Sequence, residues 1–159
     1  MLKIKIAAVG KIKERALSEL TGEYIKRLGR YCAPEVIEIP DEAVSARESG
    51  AGILRHTQAE AERILARVKA EPYVVALDIK GAAPDSAAFA ENLRSLALRY
   101  PAVTFVIGGS NGLHPSVIAR ADYIMSMSNM TFPHQLARLV LLEQLYRAFK
   151  IINNETYHK

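Results

Sequence analysis

Cysteine is nearly absent from this chain. Cys32 is the only one in 159 residues, so no internal disulfide can form and no cysteine-based metal site is plausible. Cys32 itself reads as a small, partly buried residue. Long apolar runs are missing too, and no stretch approaches a membrane span. Near the N-terminus, Lys3-Ile4-Lys5-Ile6 alternates, which predicts a strand rather than a signal peptide. The expected location is the cytoplasm. Internal repeats and low-complexity linkers are likewise absent, so one domain over residues 1–159 is expected. The spacings of a P-loop, of the dinucleotide fingerprint and of His-Glu-x-x-His do not occur, and a Ser-His-Asp hydrolase is not indicated.

What is present is an ordinary globular composition. Half of the residues are hydrophobic and 24% are charged, which excludes a disordered chain. The net charge is +4 and the pI about 9.2. Without a clustered basic run this fits an RNA-binding protein and many other enzymes equally.

Hydrophobic periodicity predicts alternating strands and helices. Lys3 to Val9, Glu35 to Ile39, Tyr73 to Ile79, Val103 to Ile107 and Tyr123 to Met127 read as strands. Helices are expected over Ala16 to Leu28, after Gly52 to about Lys69, over Ser86 to Leu98 with Ser86 as N-cap, His114 to Arg120, and Pro133 to Ile152. Leu17, Leu20, Tyr24 and Leu28 should form the buried face of the first helix. Leu54, Ala61, Ile64, Leu65 and Val68 should form that of the second. Asp41 to Gly52 reads as a loop or a frayed helix start. The inner strands are apolar on both faces, so the fold class is α/β, a mainly parallel sheet covered by helices. The last helix carries two apolar stripes, Leu139-Leu142-Tyr146-Phe149 and Leu141-Leu145-Ala148-Ile152. It is either sunk between sheet and neighbours or also packed against a second copy of the chain.

The chemistry is expected in the C-terminal third. Thr104-Phe105-Val106-Ile107 runs into Gly108-Gly109-Ser110-Asn111-Gly112, a strand feeding a bare glycine loop. With no lysine or arginine beside it to meet a phosphate, the loop suits a nucleoside-like ligand without a phosphate chain, such as S-adenosylmethionine, or is simply a turn. Met127, Met130 and Phe132 could wall an adenine ring or fill the core. His134, Arg138 and the tail Tyr157-His158-Lys159 are the reactive candidates.

Together these segments resemble a known family. Phe105 to Leu113, Met130-Thr131-Phe132-Pro133-His134-Gln135, Glu143-Gln144-Leu145-Tyr146-Arg147-Ala148 and Tyr157-His158-Lys159 are similar to the RlmH (YbeA) family of bacterial SPOUT-class methyltransferases. Ala8-Val9-Gly10-Lys11 and Leu77-Asp78-Ile79-Lys80-Gly81 extend the resemblance over essentially the whole chain. It implies N3-methylation of a pseudouridine in 23S ribosomal RNA within the assembled ribosome, with S-adenosylmethionine as donor and no metal. It also implies a homodimer and a C-terminal trefoil knot, which sequence physics alone would not supply. By the same resemblance Leu77, Gly108, Met127, Ser128, Asn129, Met130, Thr131 and Phe132 hold the donor. Loss of the imide proton calls for an acceptor and for charge stabilisation. His158 is the expected proton acceptor or orienter, Arg138 the charge stabiliser and Tyr157 the group packed on the base. The rivals are a non-catalytic RNA- or nucleotide-binding module and a methyltransferase acting on transfer RNA.

Overall fold

The computed structural model describes residues 1–43 and 49–158. Residues 44–48, the middle of the segment Asp41 to Gly52 read as a loop or frayed helix start, lie outside the described residues, as does Lys159. The strands are β1 (Lys3–Val9), β2 (Ala33–Ile39), β3 (Val74–Ala82), β4 (Ala102–Ile107) and β5 (Tyr123–Met125). The helices are α1 (Arg15–Leu28), α2 (Gly50–Val68), α3 (Ser86–Arg99), α4 (Pro115–Arg120) and α5 (His134–Ile152).

The strands form one sheet in the order β2-β1-β4-β3-β5, and every pairing is parallel. Side chains alternate between its two faces. Ile4, Ile6 and Ala8 of β1, with Val103, Phe105 and Ile107 of β4, face one core, which α1, α3 and α5 cover. Ala7, Val9 and Val106 face the other, closed by α2 and α4. All six residues of β4 are buried, as a central parallel strand requires.

The helix boundaries follow local chemistry, with some corrections. The cap of α3 is Asp85, not Ser86; its Oδ1 accepts from the backbone N–H of Ala88 at 2.7 Å. Both residue types cap well, and the carboxylate also meets the positive end of the helix dipole. The buried face of α1 runs through Thr21 and Leu28, while Leu20 is 49% exposed. In α2 Ala61, Ile64 and Val68 are buried as expected, joined by Thr57 and Glu60, whereas Leu54 is 53% exposed. Strand β5 stops at Met125, freeing Ser126 and Met127 for a loop. No residue of α5 is exposed: seven are buried and the others half-buried. Cys32 is wholly buried, and burial pushes its thiol up to about 12, so it stays protonated at neutral pH.

Strand β3 carries an irregularity that shapes the site. Both Leu77 and Ala82 pair with Met125, so Asp78 to Gly81 bulge out between them. A Cβ on Gly81 would lie 2.7 Å from the backbone of Ile124, so only glycine permits this pass.

Candidate functional site

The ends of β3, β4 and β5 open into a cavity of about 710 Å³, at the carboxyl edge where parallel sheets hold ligands. Its volume lies in the range of small-molecule sites. The first wall is the glycine loop. A Cβ on Gly108 would lie 2.7 Å from the carbonyl carbon and oxygen of Gly112. Gly112 has φ +76°, and its N–H donates to the Gly109 carbonyl at 3.1 Å. The chain therefore doubles back with bare backbone facing the cavity.

The loop after β5 makes the second wall, and its serines fold it. Ser126 donates through Oγ to the Ser128 carbonyl at 2.9 Å, and the Met130 N–H donates to Ser128 Oγ at 2.9 Å. These bonds hold a non-regular backbone in place of ladder partners. Met125, Met127 and Phe132 make the apolar lining, and Met130 stands 75% exposed at the rim. Leu77 and the β3 bulge close the third side. Of the residues assigned to the donor, Leu77, Gly108, Met127, Ser128, Met130, Thr131 and Phe132 line the cavity, whereas Asn129 is exposed outside it. Asp78, Ile79 and Ile107 also line it, although the sequence reading had not singled them out.

Among the described residues, the ionisable ones that line the cavity are Asp78 and His134. Asp78 Oδ1 accepts from the Lys80 N–H at 2.8 Å. With no lysine or arginine among the described residues of its wall, the cavity does not suit a phosphate chain. Backbone amides, an apolar shelf and one carboxylate fit an adenosine joined to a sulfonium.

Gly108 to Gly112 also spells Gly-x-Ser-x-Gly, the pattern of a hydrolase nucleophile elbow. The geometry differs. Ser110 sits in a turn closed by glycines rather than at a strand-to-helix apex, and α4 begins only at Pro115. The nearby His114 caps α4, with Nδ1 2.9 Å from Ser116 Oγ.

Arg138 does not reach the cavity. It is 2% exposed, and donates to Glu38 Oε1 at 2.9 Å and to the Gly10 carbonyl at 2.8 Å. Gly10 has φ +84°, and a Cβ there would lie 3.1 Å from His134 Nε2. Arg138 thus fixes the turn against which the cavity's histidine rests.

Tyr157 and His158 gather elsewhere, at the far end of α5. The Tyr157 hydroxyl donates to Glu143 Oε1 at 3.1 Å, and its ring packs edge-on against Tyr146 at 5.1 Å. Arg147 lies 4.7 Å from the Tyr157 ring centre, donates to Glu143 Oε1 at 2.6 Å, and sits 3.4 Å from His158 Nδ1. Burial, with Tyr24 and Glu143 close by, pushes the Tyr157 phenol up, so it is a neutral donor. Thirteen residues of α5 separate His134 from Arg147, or ~20 Å along the helix axis. Sequence reasoning proposed the tail but missed Arg147 and Glu143 as its partners; their spacing of four on one helix face was the available signal.

Known proteins share this architecture. The family model described as "Predicted SPOUT methyltransferase" matches residues 2–158. The ribosomal RNA large subunit methyltransferase H of Ruminiclostridium cellulolyticum is 51% identical over 159 residues, covering 99% of this chain and 100% of that protein. That of Halothermothrix orenii is 48% identical with the same coverage. Among solved structures, a methyltransferase of Legionella pneumophila in complex with bound SAM superposes with a TM-score of 0.53. It shares 15% identity, and the match covers 92% of this chain and 66% of that one. A tRNA methyltransferase from Aquifex aeolicus gives 0.52 at 13% identity, covering 92% and 69%. These distant structures share the fold; the close relatives and the family model give the lineage: the chain belongs to the SPOUT methyltransferase family, in its ribosomal RNA large subunit methyltransferase H (RlmH) branch.

Proposed function

We propose that the chain is an S-adenosylmethionine-dependent methyltransferase acting on N3 of a pseudouridine in 23S ribosomal RNA, in the cytoplasm and on the assembled ribosome. The observation that carries the reading is the cavity. It joins a glycine wall that admits no Cβ at Gly108 with an apolar shelf, and among the described residues no lysine or arginine lines it. It is built by the residues that the family resemblance assigns to the donor. One domain, residues 1–159, does the work. The C-terminal trefoil knot belongs to the same reading.

When bound, the donor supplies a methyl group already activated on sulfur, so the protein's task is alignment and proton handling. Gly108 and Leu77 would fix the nucleoside, and Met127 and Phe132 its ring. The imide proton needs an acceptor, and the developing charge needs a donor or cation nearby. His158 is the acceptor and Arg147 the cation beside it. Tyr157, kept neutral, packs against the base. Arg138, turned inward to Glu38 and Gly10, serves as a positioning residue behind His134.

A separation of ~20 Å along α5 keeps a chain's own tail from its own cavity. The active unit is therefore a homodimer in which one copy holds the donor and the other brings the tail. Its contact surface is supplied by α1 and α5, which pack together and leave Leu20 exposed and Leu139 and Val140 half-buried.

Calorimetry with S-adenosylmethionine tests the first half of the reading; no heat of binding would favour a non-catalytic module. A transfer assay comparing ribosomes, free ribosomal RNA and transfer RNA, with mass mapping of the product, tests the second. Methylation of transfer RNA alone would move the enzyme to the rival substrate. A monomer by sedimentation at micromolar concentration would remove the dimer.

A further inference from the structure

One buried carboxyl outside the cavity touches the loop that forms its wall. Glu60 lies on α2, is 7% exposed, and accepts through Oε1 from the Glu42 N–H at 3.0 Å. On its other side is Gly109. A Cβ on that glycine would lie 3.4 Å from Oε2 and 3.5 Å from Oε1 of Glu60. The carboxyl therefore borders the space that a side chain at Gly109 would take. Gly109 lines the cavity, and its carbonyl closes the turn with Gly112.

The segment on the other side of Glu60 also leads to the cavity. Arg63, one turn along α2, donates to the Pro40 carbonyl at 2.8 Å and pairs with Glu42. Asp41, between them, has Oδ2 3.9 Å from the place a Gly10 Cβ would occupy, where His134 Nε2 also approaches. α2 thus grips the end of β2 through two side chains, and Glu60 passes the grip on to the glycine loop.

A carboxyl is a costly group for mere filling. Burial pushes the Glu60 carboxyl above the usual range, and the charges of Asp41 and Glu42 add to this; the hydrogen bond from the Glu42 N–H and the charge of Arg63 oppose it. An aliphatic side chain would pack there without that penalty.

We propose that Glu60 is a positioning residue for the methyl donor: it pins residues 40–42 to Gly109 and so fixes the glycine wall in its binding shape. The proposal rests on the reading that this cavity holds S-adenosylmethionine.

The test uses the full chain as wild type, Glu60→Gln, Glu60→Met and Glu60→Ala. It records calorimetric Kd for S-adenosylmethionine and amide exchange at Gly109 and Gly112. Glutamine keeps an acceptor for the Glu42 N–H, so its Kd should stay within about threefold of wild type. Methionine fills the space without an acceptor and should weaken binding by ~10-fold, as loss of one buried hydrogen bond predicts, with faster exchange at both glycines. Alanine should do at least as much; if it does not fold, methionine decides. Wild-type affinity in Glu60→Met, or equal losses in Glu60→Met and Glu60→Gln, overturns the proposal. If wild type binds no donor, the cavity reading fails instead. Exchange then decides alone, and unchanged rates in Glu60→Met overturn the role of Glu60.

Discussion

Tyr157 and Arg147 share one oxygen of Glu143: the phenol donates to Oε1 at 3.1 Å and the guanidinium at 2.6 Å. That oxygen fixes both groups at the end of α5. Glu143→Ala should release them together. Turnover on the ribosomal substrate should fall by ~10-fold or more, as loss of orientation predicts, while Kd for S-adenosylmethionine stays within about twofold. A parallel loss of donor affinity would show that the tail cluster and the cavity are not separate parts.

Gly108→Ala should abolish donor binding, because its methyl would lie 2.7 Å from the Gly112 carbonyl. His158→Ala should bind the donor but not transfer the methyl. If the tail acts across a dimer, mixing the two inactive proteins restores activity, since each mixed dimer has one intact pair. Random exchange gives about a quarter of wild-type turnover. A mixture that stays inactive after subunit exchange would place tail and cavity in the same chain.

Removing Arg138 should act on stability first. Alanine there leaves a buried void and an unpaired Gly10 carbonyl, and Glu38 loses its partner. Urea unfolding should show a loss of about 2–4 kcal/mol. Lysine should not restore it, because one ammonium cannot reach Glu38 and Gly10 in the arginine's forked geometry. Full stability in Arg138→Ala would mean that the buried pair contributes nothing net.

Glu60 gives a pH dependence of fixed sign. Its folded-state pKa lies above the unfolded value, so its contribution is fully present below the unfolded pKa, about 4.3. It is lost as pH rises through the raised folded value. Glu60→Gln does not titrate. The variant's Tm minus that of wild type should therefore grow as pH rises from about 4 to 7. A difference that is flat or shrinks would contradict the burial cost.

Strands and most helix limits were legible because apolar runs and glycine or proline stops act locally. Lys3–Val9 is as the alternation predicts. Leu20 and Leu54 misled because periodicity ranks residues by side chain. The sheet instead took Thr21, and Thr57 with Glu60, as the inner positions. The cavity wall could be read from Gly108 and, apart from Asn129, the Met127 to Phe132 segment, since loops at strand ends are chain neighbours of the strands. Three things could not be read. The bulge at Asp78 to Gly81 depends on β5, more than forty residues later. The separation of tail from cavity depends on which end of α5 meets the sheet. Glu60 looks like any solvated helix glutamate until Gly109 is placed against it.

Strand β4 has a consequence for how the molecule is made. It lies between β1 and β3, and no other strand joins β2-β1 to β3-β5. Until residues 102–107 insert, the chain is two separate strand pairs, and the second of these, β3-β5, still awaits Tyr123–Met125. Closure of these distant pairings is entropically slow, so insertion of β4 is the natural rate-limiting event in folding. The same insertion delivers Ile107 and Gly108 to the cavity. Competence to bind the donor should therefore arise in the slowest refolding phase, with no donor-binding intermediate ahead of it.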